Sequence, residues 1–320
     1  KKKVPDVSEI QVPISTIRFE KDFFAIDTQK IDAGLQQIFE KYPSFSKDFL
    51  FNILGSFQNP ESVASSAKSF INSYTSIYTA CNKQFSNSSE TESAIKNGLQ
   101  FVKYYFPNYK QPQKIVTFIG PLNSYANIIT ADNSLAIGLQ LYLGKDFSLY
   151  QSEALQTLYP SYISRRFEPS YIPVNCMKNV IDDLMLQFKN QPTNGELIEQ
   201  MVESGKKLYL LDAFLPKLAD SLKTGYTQEQ LTACLASEKN IWTFFVQNNL
   251  LFESDANRIN TYVNDAPNTP EFGNNSPGNI GQFVGWKIVQ KWMQQDDKRT
   301  LQQLIQTSPK SIFEQAKYKP

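Results

Sequence analysis

Apolar side chains recur at helical spacing over most of this chain, and the pattern is most regular between Glu196 and Leu215. Apolar residues three or four positions apart form one stripe along a helix, and Gly205 lies on that stripe. Thr193 stands three residues before Glu196, as in a capping box, and Pro216 follows where the helix would end. The stripe consists of Leu197, Ile198, Met201, Val202, Leu208 and Tyr209.

The opposite face of this predicted helix is charged, with Glu199, Glu203, Lys206 and Lys207. Glu203 and Lys207 stand four positions apart in the favourable order, so we expect an ion pair worth about 0.3 kcal/mol. The pattern predicts a solvated face on which acids and lysines balance. The alternative is that Glu199 and Glu203 form a pair of catalytic carboxylates.

The same spacing predicts further helices, one of which begins at Pro60 and another at Ser89, where Glu92 completes a second capping box. Near the C-terminal end, Gly281 and Gly285 lie four apart inside a predicted helix. Each glycine there costs about 1 kcal/mol, so we expect close contact with another backbone. The remaining helices are predicted from about residue 28 to Lys41 and over Lys47–Leu54, Leu149–Leu158, Pro173–Lys189, Thr227–Leu235, Glu238–Leu250, Gly278–Met293, Thr300–Gln306 and Pro309–Gln315.

Four segments favour strands instead of helices. Ile14–Ile26 alternates roughly between apolar and polar residues, and Lys114–Ile119 is a β-branched run that ends at a Gly-Pro turn. Tyr125–Thr130 and Ser134–Leu143 follow, separated by Asp132-Asn133. The sequence therefore predicts a helix-dominated α+β fold with a small sheet or meander in the middle of the chain.

Composition narrows the class of protein without identifying it. A hydrophobic fraction of 41% is typical of a folded chain, and 32 basic against 31 acidic residues removes the basic excess of a nucleic-acid binder. Three cysteines without a CxxC pair exclude a disulfide scaffold but leave the compartment open. No apolar run approaches the roughly 18 residues of a membrane span.

Lys1–Pro13 is polar and contains two prolines, which predicts a tether, with an ordinary frayed terminus as the alternative.

The absence of histidine limits the available chemistry most strongly. It excludes zincin-type metal sites, serine triads and cysteine–histidine pairs, because each needs an imidazole. Neither a glycine-rich phosphate loop nor an acidic calcium motif occurs, so the sequence predicts no cofactor and no metal site. Paired carboxylates need no histidine and remain open, either at Glu199 and Glu203 or at Asp182-Asp183.

Several local runs together resemble the gliding-motility lipoprotein GldB family of the Bacteroidetes. They keep their order over nearly the whole chain, although none is a chemical signature by itself. The runs are IRFEKDFF, YPSF, YFP before KIVTFIG, LQLYLGKDF (Leu139–Phe147), YPSYISRRFEPSYIP (Tyr159–Pro173), MVESGKKLYLLDAFLP (Met201–Pro216), GYTQEQL (Gly225–Leu231), PGNIGQFVGWKIVQKWM (Pro277–Met293) and the closing YKP.

The resemblance implies an exported lipoprotein, acylated at a cysteine upstream of this sequence. Lys1–Pro13 would then be a spacer from the membrane, and residues 14–320 a single GldB-like α+β domain. The family also looks distantly similar to zincin-like metallopeptidases. The helix in the place of the metal-binding helix would be Pro173–Lys189 or Glu196–Leu215, and neither contains histidine. The resemblance therefore implies a zincin-like architecture without the metal site.

Together these observations predict a non-catalytic, lipid-anchored envelope protein that faces the periplasm. It would be an interaction or structural component of the gliding-motility or an associated secretion machinery, with other envelope proteins as partners. The alternatives are a carboxylate-based glycan or peptide hydrolase and a ligand-binding remnant of a peptidase cleft, with aromatic and polar residues opposite the sheet. The candidate cleft or interaction residues are Glu199, Glu203, Lys206, Tyr209 and Trp286.

Overall fold

The computed structural model describes residues 4–188 and 195–320. It is 60% helical and contains one small mixed sheet of four strands, so the predicted α+β class with a single domain is confirmed. The zincin-like architecture remains a prediction. Residue contacts group into two compact units: a sheet unit of Ile10–Gln100 and Lys110–Asn179, and a helical unit of Lys1–Glu9, Phe101–Tyr109 and Val180–Pro320.

The sheet has the strand order β1-β2-β4-β3. The β1–β2 and β2–β4 pairs are parallel, and only the β3–β4 pair is antiparallel. The predicted sheet is thus confirmed, whereas the meander is limited to one hairpin. Asn133 closes that hairpin at a φ of +58°, a conformation that asparagine tolerates. The strands are β1 Ser15–Arg18, β2 Lys114–Phe118, β3 Asn127–Ile129 and β4 Ser134–Gly138.

The strand predicted over Ile14–Ile26 is wrong beyond Arg18, because Phe19–Phe24 forms helix α1. Phe19 and Phe23 stand four positions apart and are fully buried. Both rings contact Phe49, with ring centroids 4.9 Å and 4.8 Å away. In a helix the two residues lie on one face about 6 Å apart, whereas in a strand they would share a face but lie about 13 Å apart. Packing against distant aromatic residues therefore decides the conformation.

Most of the other predicted helices in this part of the chain are confirmed. The helix that starts at Pro60 has Asn59 as its cap, whose Oδ1 accepts a hydrogen bond from the Ser62 N–H at 2.8 Å. Short 3-10 turns occupy Leu139–Leu141, Ser148–Gln151 and Pro169–Tyr171. The helices are α2 Ile31–Lys41, α3 Phe45–Lys47 with a π-helical continuation Asp48–Ile53, α4 Pro60–Gln84, α5 Ser89–Tyr105, α6 Glu153–Leu158, α7 Ser161–Ser164 and α8 Ile172–Phe188.

From residue 195 onward the described chain forms eight α-helices and a short 3-10 turn but no strand. Two helices there escaped sequence prediction, and one of them is capped by Asp255, whose Oδ1 accepts from the Arg258 N–H. Thr193, the predicted cap of the long helix, and Lys189 lie outside the described residues, as do residues 1–3. The helices are α9 Leu197–Phe214, α10 Asp220–Thr224, α11 Gln228–Ala236, α12 Glu238–Gln247, α13 Ala256–Val263, α14 Ile280–Gln294, α15 Leu301–Gln306 and α16 Pro309–Ala316.

Helices α9 and α14 cross at glycines in the middle of the helical unit. A Cβ added to Gly205 would lie 2.1 Å from the carbonyl carbon of Gly285. A Cβ added to Gly285 would lie 1.6 Å from the carbonyl oxygen of Met201. Neither distance is sterically possible, so the predicted close backbone contact is confirmed. Helix α9 also contacts α10, α13, α15 and α16.

Two further features bear on the predictions. Val7 and Val12 are buried, each 4% exposed, so part of the predicted tether packs against the folded chain. Its role as a spacer stays a prediction.

Cys81, Cys176 and Cys234 are free and buried, and burial raises the pKa of Cys176 and of Cys234 to about 12. Within residues 4–188 and 195–320, no helix is long and apolar enough to cross a membrane.

Candidate functional site

Glu199, the first candidate residue, stabilises the start of α9. Its Oε2 accepts a hydrogen bond from the Glu196 N–H at 3.1 Å. The next two N–H groups of the helix, those of Leu197 and Ile198, donate to the carbonyls of Glu253 and Leu251 at 2.9 Å. These bonds use the N–H groups that a helix start leaves free. Glu199 is therefore engaged in capping the helix.

The predicted solvated face of α9 is wrong for Lys206, which is 1% exposed. Its Nζ donates to the carbonyls of Thr307 at 2.7 Å and Ile305 at 3.4 Å, at the C-terminal end of α15. Glu203 Oε2 lies 3.4 Å from the same Nζ. A cation at a helix C-terminus is favourable, and an acid beside it balances the buried charge. The surrounding structure encloses Lys206, which the helical periodicity alone had placed on a solvent-exposed face.

The predicted Glu203–Lys207 pair is also wrong, because the structure gives both residues different partners. Glu203 pairs with Lys206, whereas Lys207 pairs with Asp182 at 2.7 Å. Both side chains of the Lys207–Asp182 pair are about half exposed, so it contributes little. Of the four charged residues predicted on this face, only Lys207 is exposed.

Tyr209 and Trp286 lie beside an acid that sequence reasoning missed, Asp212. The Trp286 Nε1–H donates to Asp212 Oδ2 at 2.8 Å. Lys223 Nζ donates to Asp212 Oδ1 at 2.7 Å and to Asp220 Oδ1 at 2.8 Å. Trp286 and Lys223 are buried, whereas the Asp212 and Asp220 side chains are 25% and 41% exposed, so the network reaches the surface on its acidic side.

The pKa shifts in this network follow from burial and from its charges. Burial raises the pKa of the Asp212 carboxyl and opposes the lowering by Lys223. Burial also works against the charged form of Lys223, but the carboxylates of Asp212 and Asp220 raise the pKa of that ammonium group above its usual value. Burial raises the pKa of Tyr209, and Asp212 adds to the effect. Two donors on Asp212 favour its ionised form paired with the charged lysine.

The five candidate residues do not form one site. Ten positions separate Glu199 from Tyr209, or about 15 Å along a helix. Lys206 donates to the end of α15 and pairs with Glu203, whereas Trp286 donates to Asp212. Tyr209 lies close enough to Asp212 to be influenced by its charge. A signal for Asp212 existed in the sequence, since it stands four positions after Leu208 and extends the apolar stripe. An acid on an apolar stripe indicates a buried, partnered carboxylate.

The other candidate acids also have structural partners. Asp182 pairs with Lys207, and Asp183 Oδ2 accepts a hydrogen bond from the Tyr109 hydroxyl at 2.6 Å. Burial raises the pKa of Tyr109, and Asp183 adds to the effect. In the part of the chain that the structure describes, no three residues among histidine, cysteine, aspartate and glutamate are grouped to hold a metal ion.

A partly exposed aromatic surface lies on α12, α16 and the segment after α12. We call it the aromatic patch and define it as Trp242, Val246, Phe252 and Phe313. Phe252 is 60% exposed and Val246 44%. The Phe313 ring lies 6.4 Å from both the Trp242 and the Phe252 rings. Trp242 and Val246 stand four apart on α12 and therefore share one face.

The aromatic patch has a firm support beneath it. The Tyr318 ring packs edge-on against Trp242, with centroids 5.1 Å apart. The Tyr318 hydroxyl donates to Glu238 Oε1 at 2.7 Å, and Lys287 Nζ lies 3.2 Å from Glu238 Oε2. These contacts hold the Trp242 ring in place, so the patch is a preformed surface. Preformed aromatic surfaces are typical of protein interfaces.

Comparison with known proteins gives one result that covers the whole chain. A family model described as gliding motility protein GldB matches residues 1–320. Neither the curated proteins nor the solved structures give a match.

Proposed function

The chain belongs to the gliding motility protein GldB family, and from this premise we propose that it is a non-catalytic interaction component of the gliding-motility or an associated secretion machinery. Membership makes it a gliding-motility-related lipoprotein of the cell envelope. We further propose that a lipid anchor holds it at the membrane, facing the periplasm. Its partner on this proposal is another protein of the same envelope machinery.

The aromatic patch is the observation that carries this proposal. Phe252 exposes more than half of its surface, and burying a large apolar side chain contributes about 1.5 to 3 kcal/mol. Interface residues with the largest contributions are enriched in tryptophan and tyrosine, and they cluster in preorganised positions. Trp242 is held by Tyr318 and supplies such an anchor within the patch. The geometry supports a docking surface for a partner with a complementary apolar face.

The partners of the candidate acids favour binding over hydrolysis. A glycosidase needs two carboxyl groups that face each other across a substrate, about 5 to 9 Å apart. Glu199 instead accepts a hydrogen bond from the start of its own helix, and Glu203 pairs with a buried lysine. Both carboxylates have structural roles that substrate contact would disrupt.

The test compares two sets of exposed residues in the intact lipoprotein. The patch variant combines Phe252→Ser with Val246→Ser, and the control is Leu186→Ser, a helical-unit residue that is 78% exposed. Proteins cross-linked to each form in envelope membranes are then quantified by mass spectrometry. We expect at least one envelope protein to depend on the patch, with a loss of about tenfold or more, and to be retained by the control.

Two results would contradict the proposal. One is equal recovery of every cross-linked protein from the wild type, the patch variant and the control. The other is hydrolysis of peptidoglycan or a peptide library by the purified protein, with the activity lost in Glu199→Ala combined with Glu203→Ala. The second result would establish the hydrolase alternative provided that the double variant remains folded by circular dichroism, since both acids also have structural roles.

A further inference from the structure

The sheet unit contains a pocket between one face of the sheet and the beginning of α5. Arg18 of β1, Thr117 of β2 and Ile137 of β4 lie side by side in the strand register. Side chains two positions apart on a strand share a face, so Ile115 lies on the same side as Thr117. Thr91 and Ile95 of α5 line the pocket from across the sheet.

The pocket walls are mainly apolar. Ile95, Ile115, Ile137 and Ile172 are each at most 2% exposed and contribute much of the lining. The empty volume is about 330 Å³ when the open mouth is included, which is at the lower end for small-molecule sites. Its enclosed interior has room for roughly one water-sized group, so a larger ligand would extend into the mouth.

Arg18 is one of two charged residues that line this pocket, and the other is the acid Glu92. Arg18 Nε donates to Glu20 Oε1 at 2.5 Å, and its Nη1 donates to the Phe85 carbonyl at 3.0 Å. Among the described residues, its buried Nη2 has no hydrogen-bond acceptor. A buried donor without an acceptor is costly, so an oxygen atom in the pocket would be strongly favoured.

The charge of Arg18 is already balanced within the protein. Glu20 is 2% exposed and pairs with Arg18, and its Oε2 accepts a hydrogen bond from the Thr117 hydroxyl at 2.7 Å. A second carboxylate next to this pair would be buried without a cation of its own. Burying an uncompensated charge costs far more than burying a hydrogen-bonded carbonyl. The pocket therefore discriminates against anionic ligands and favours a ligand with an uncharged carbonyl oxygen.

We propose that this pocket binds a small, largely apolar molecule whose uncharged carbonyl oxygen accepts a hydrogen bond from Arg18 Nη2. The isoleucines contact its apolar part, and Glu20 keeps the guanidinium oriented. A ketone, ester or amide carbonyl on a short hydrocarbon has the required chemistry. The inference is independent of the aromatic patch and of the proposed interaction role.

The four isoleucines allow a direct test by nuclear magnetic resonance with labelled isoleucine methyl groups. A straight-chain methyl ketone of four to eight carbons is titrated into the full chain, and the matched alkane and carboxylate are titrated separately. We expect the ketone to shift the methyl signals of Ile95, Ile115, Ile137 and Ile172, with tighter binding than either matched compound. Ile241 and Ile288 of the helical unit report any general perturbation.

Two variants identify the role of each part of the pocket. Arg18→Lys keeps a cation for Glu20 but lacks Nη2, so we expect ketone affinity to fall about tenfold or more while alkane affinity is unchanged. Thr91→Phe adds a ring at the pocket wall, and we expect it to abolish binding of both compounds. If Arg18→Lys does not fold, the affinities of the wild type for the ketone and the alkane still show whether the carbonyl oxygen contributes to binding.

Three results would overturn the proposal. The first is an absence of ketone-induced shifts at these isoleucines up to the solubility of the ketone. The second is equal affinity for the ketone and the alkane, since Arg18 would then contribute nothing. The third is tighter binding of the carboxylate, which would mean that Glu20 does not balance the charge.

Discussion

Two cations that pair with buried or nearly buried acids, Lys206 and Arg18, differ in what surrounds them. Lys206 is enclosed by helices, donates to two carbonyls at the end of α15 and is balanced by Glu203. Arg18 is balanced by Glu20 in the same way, but it lines a pocket and keeps one buried N–H without an acceptor. A buried charge alone therefore does not indicate a binding site. The combination of an unsatisfied donor and adjacent space does.

The largest effect is expected from separating α9, the helix that carries Lys206, from α14 at Gly285. In Gly285→Ala the new methyl group would collide with the Met201 backbone, so α9 and α14 must separate. We expect a loss of more than about 4 kcal/mol in the free energy of unfolding, or failure to fold, measured by chemical denaturation. Gly55→Ala is the control, since Gly55 has a positive φ but no atom near a new Cβ. Its cost should be only about 1 to 2 kcal/mol.

The next effect tests the balance of charges around Lys206 itself. Lys206→Met leaves Glu203 and two carbonyls without their cation, so we expect a loss of about 3 to 5 kcal/mol in denaturant unfolding. Lys207→Met removes a half-exposed partner of Asp182 and should change stability by less than about 1 kcal/mol. Equal effects of the two substitutions would show that Lys206 is not held as the structure places it.

A smaller effect is expected at the corresponding acid of the sheet unit. Thr117→Val removes the hydroxyl that donates to Glu20. Hydrogen bonds to charged groups contribute about 1.5 to 3 kcal/mol, so a loss in that range is expected from thermal or chemical unfolding. Thr79→Val, on the exposed side of α4, is the matched control and should stay within about 0.5 kcal/mol of the wild type.

The smallest effect is a pH dependence of the free energy of unfolding that comes from Glu20. Burial raises the pKa of Glu20 above its ordinary value near 4.5, against the lowering by Arg18, so the folded state holds this proton more tightly than the unfolded state. The stability from this proton is fully present below pH 4.5 and is lost as the pH rises through the raised pKa. Glu20→Gln removes the titration. The unfolding free energy of the variant minus that of the wild type should therefore increase above pH 4.5, and parallel curves would contradict this.

Local patterns were sufficient to predict most of the fold. The helical periodicity gave α9 and α14 nearly to their ends, and two glycines four apart indicated the close crossing of α14. The family, too, followed from ordered sequence runs. Helix α1 escaped prediction because FEKDFF lies within the β-prone run Ile14–Ile26, although its Phe19 and Phe23 stand one helical turn apart. Only the aromatic residues that these rings meet, distant in sequence, select the helix.

The candidate residues were harder to place, for a physical reason. Periodicity identifies the face of a helix that is buried, but it does not show whether other helices also cover the polar face. Lys206 is buried because α15 ends beside it, and no local pattern around Lys206 contains that information. Arg18 and Glu20 form a pair across the end of β1, where the change from strand to helix brings their side chains together.

The three buried thiols have a practical consequence for observing this protein at work. Because burial raises the pKa of Cys81, Cys176 and Cys234, their reactive thiolate forms are scarce at neutral pH. Mild maleimide reagents should therefore bypass all three. A single new cysteine at Phe57, a side chain that is 78% exposed, would then be the one site that carries a dye. Single-molecule fluorescence of the purified Phe57→Cys variant therefore needs no prior removal of the three native cysteines.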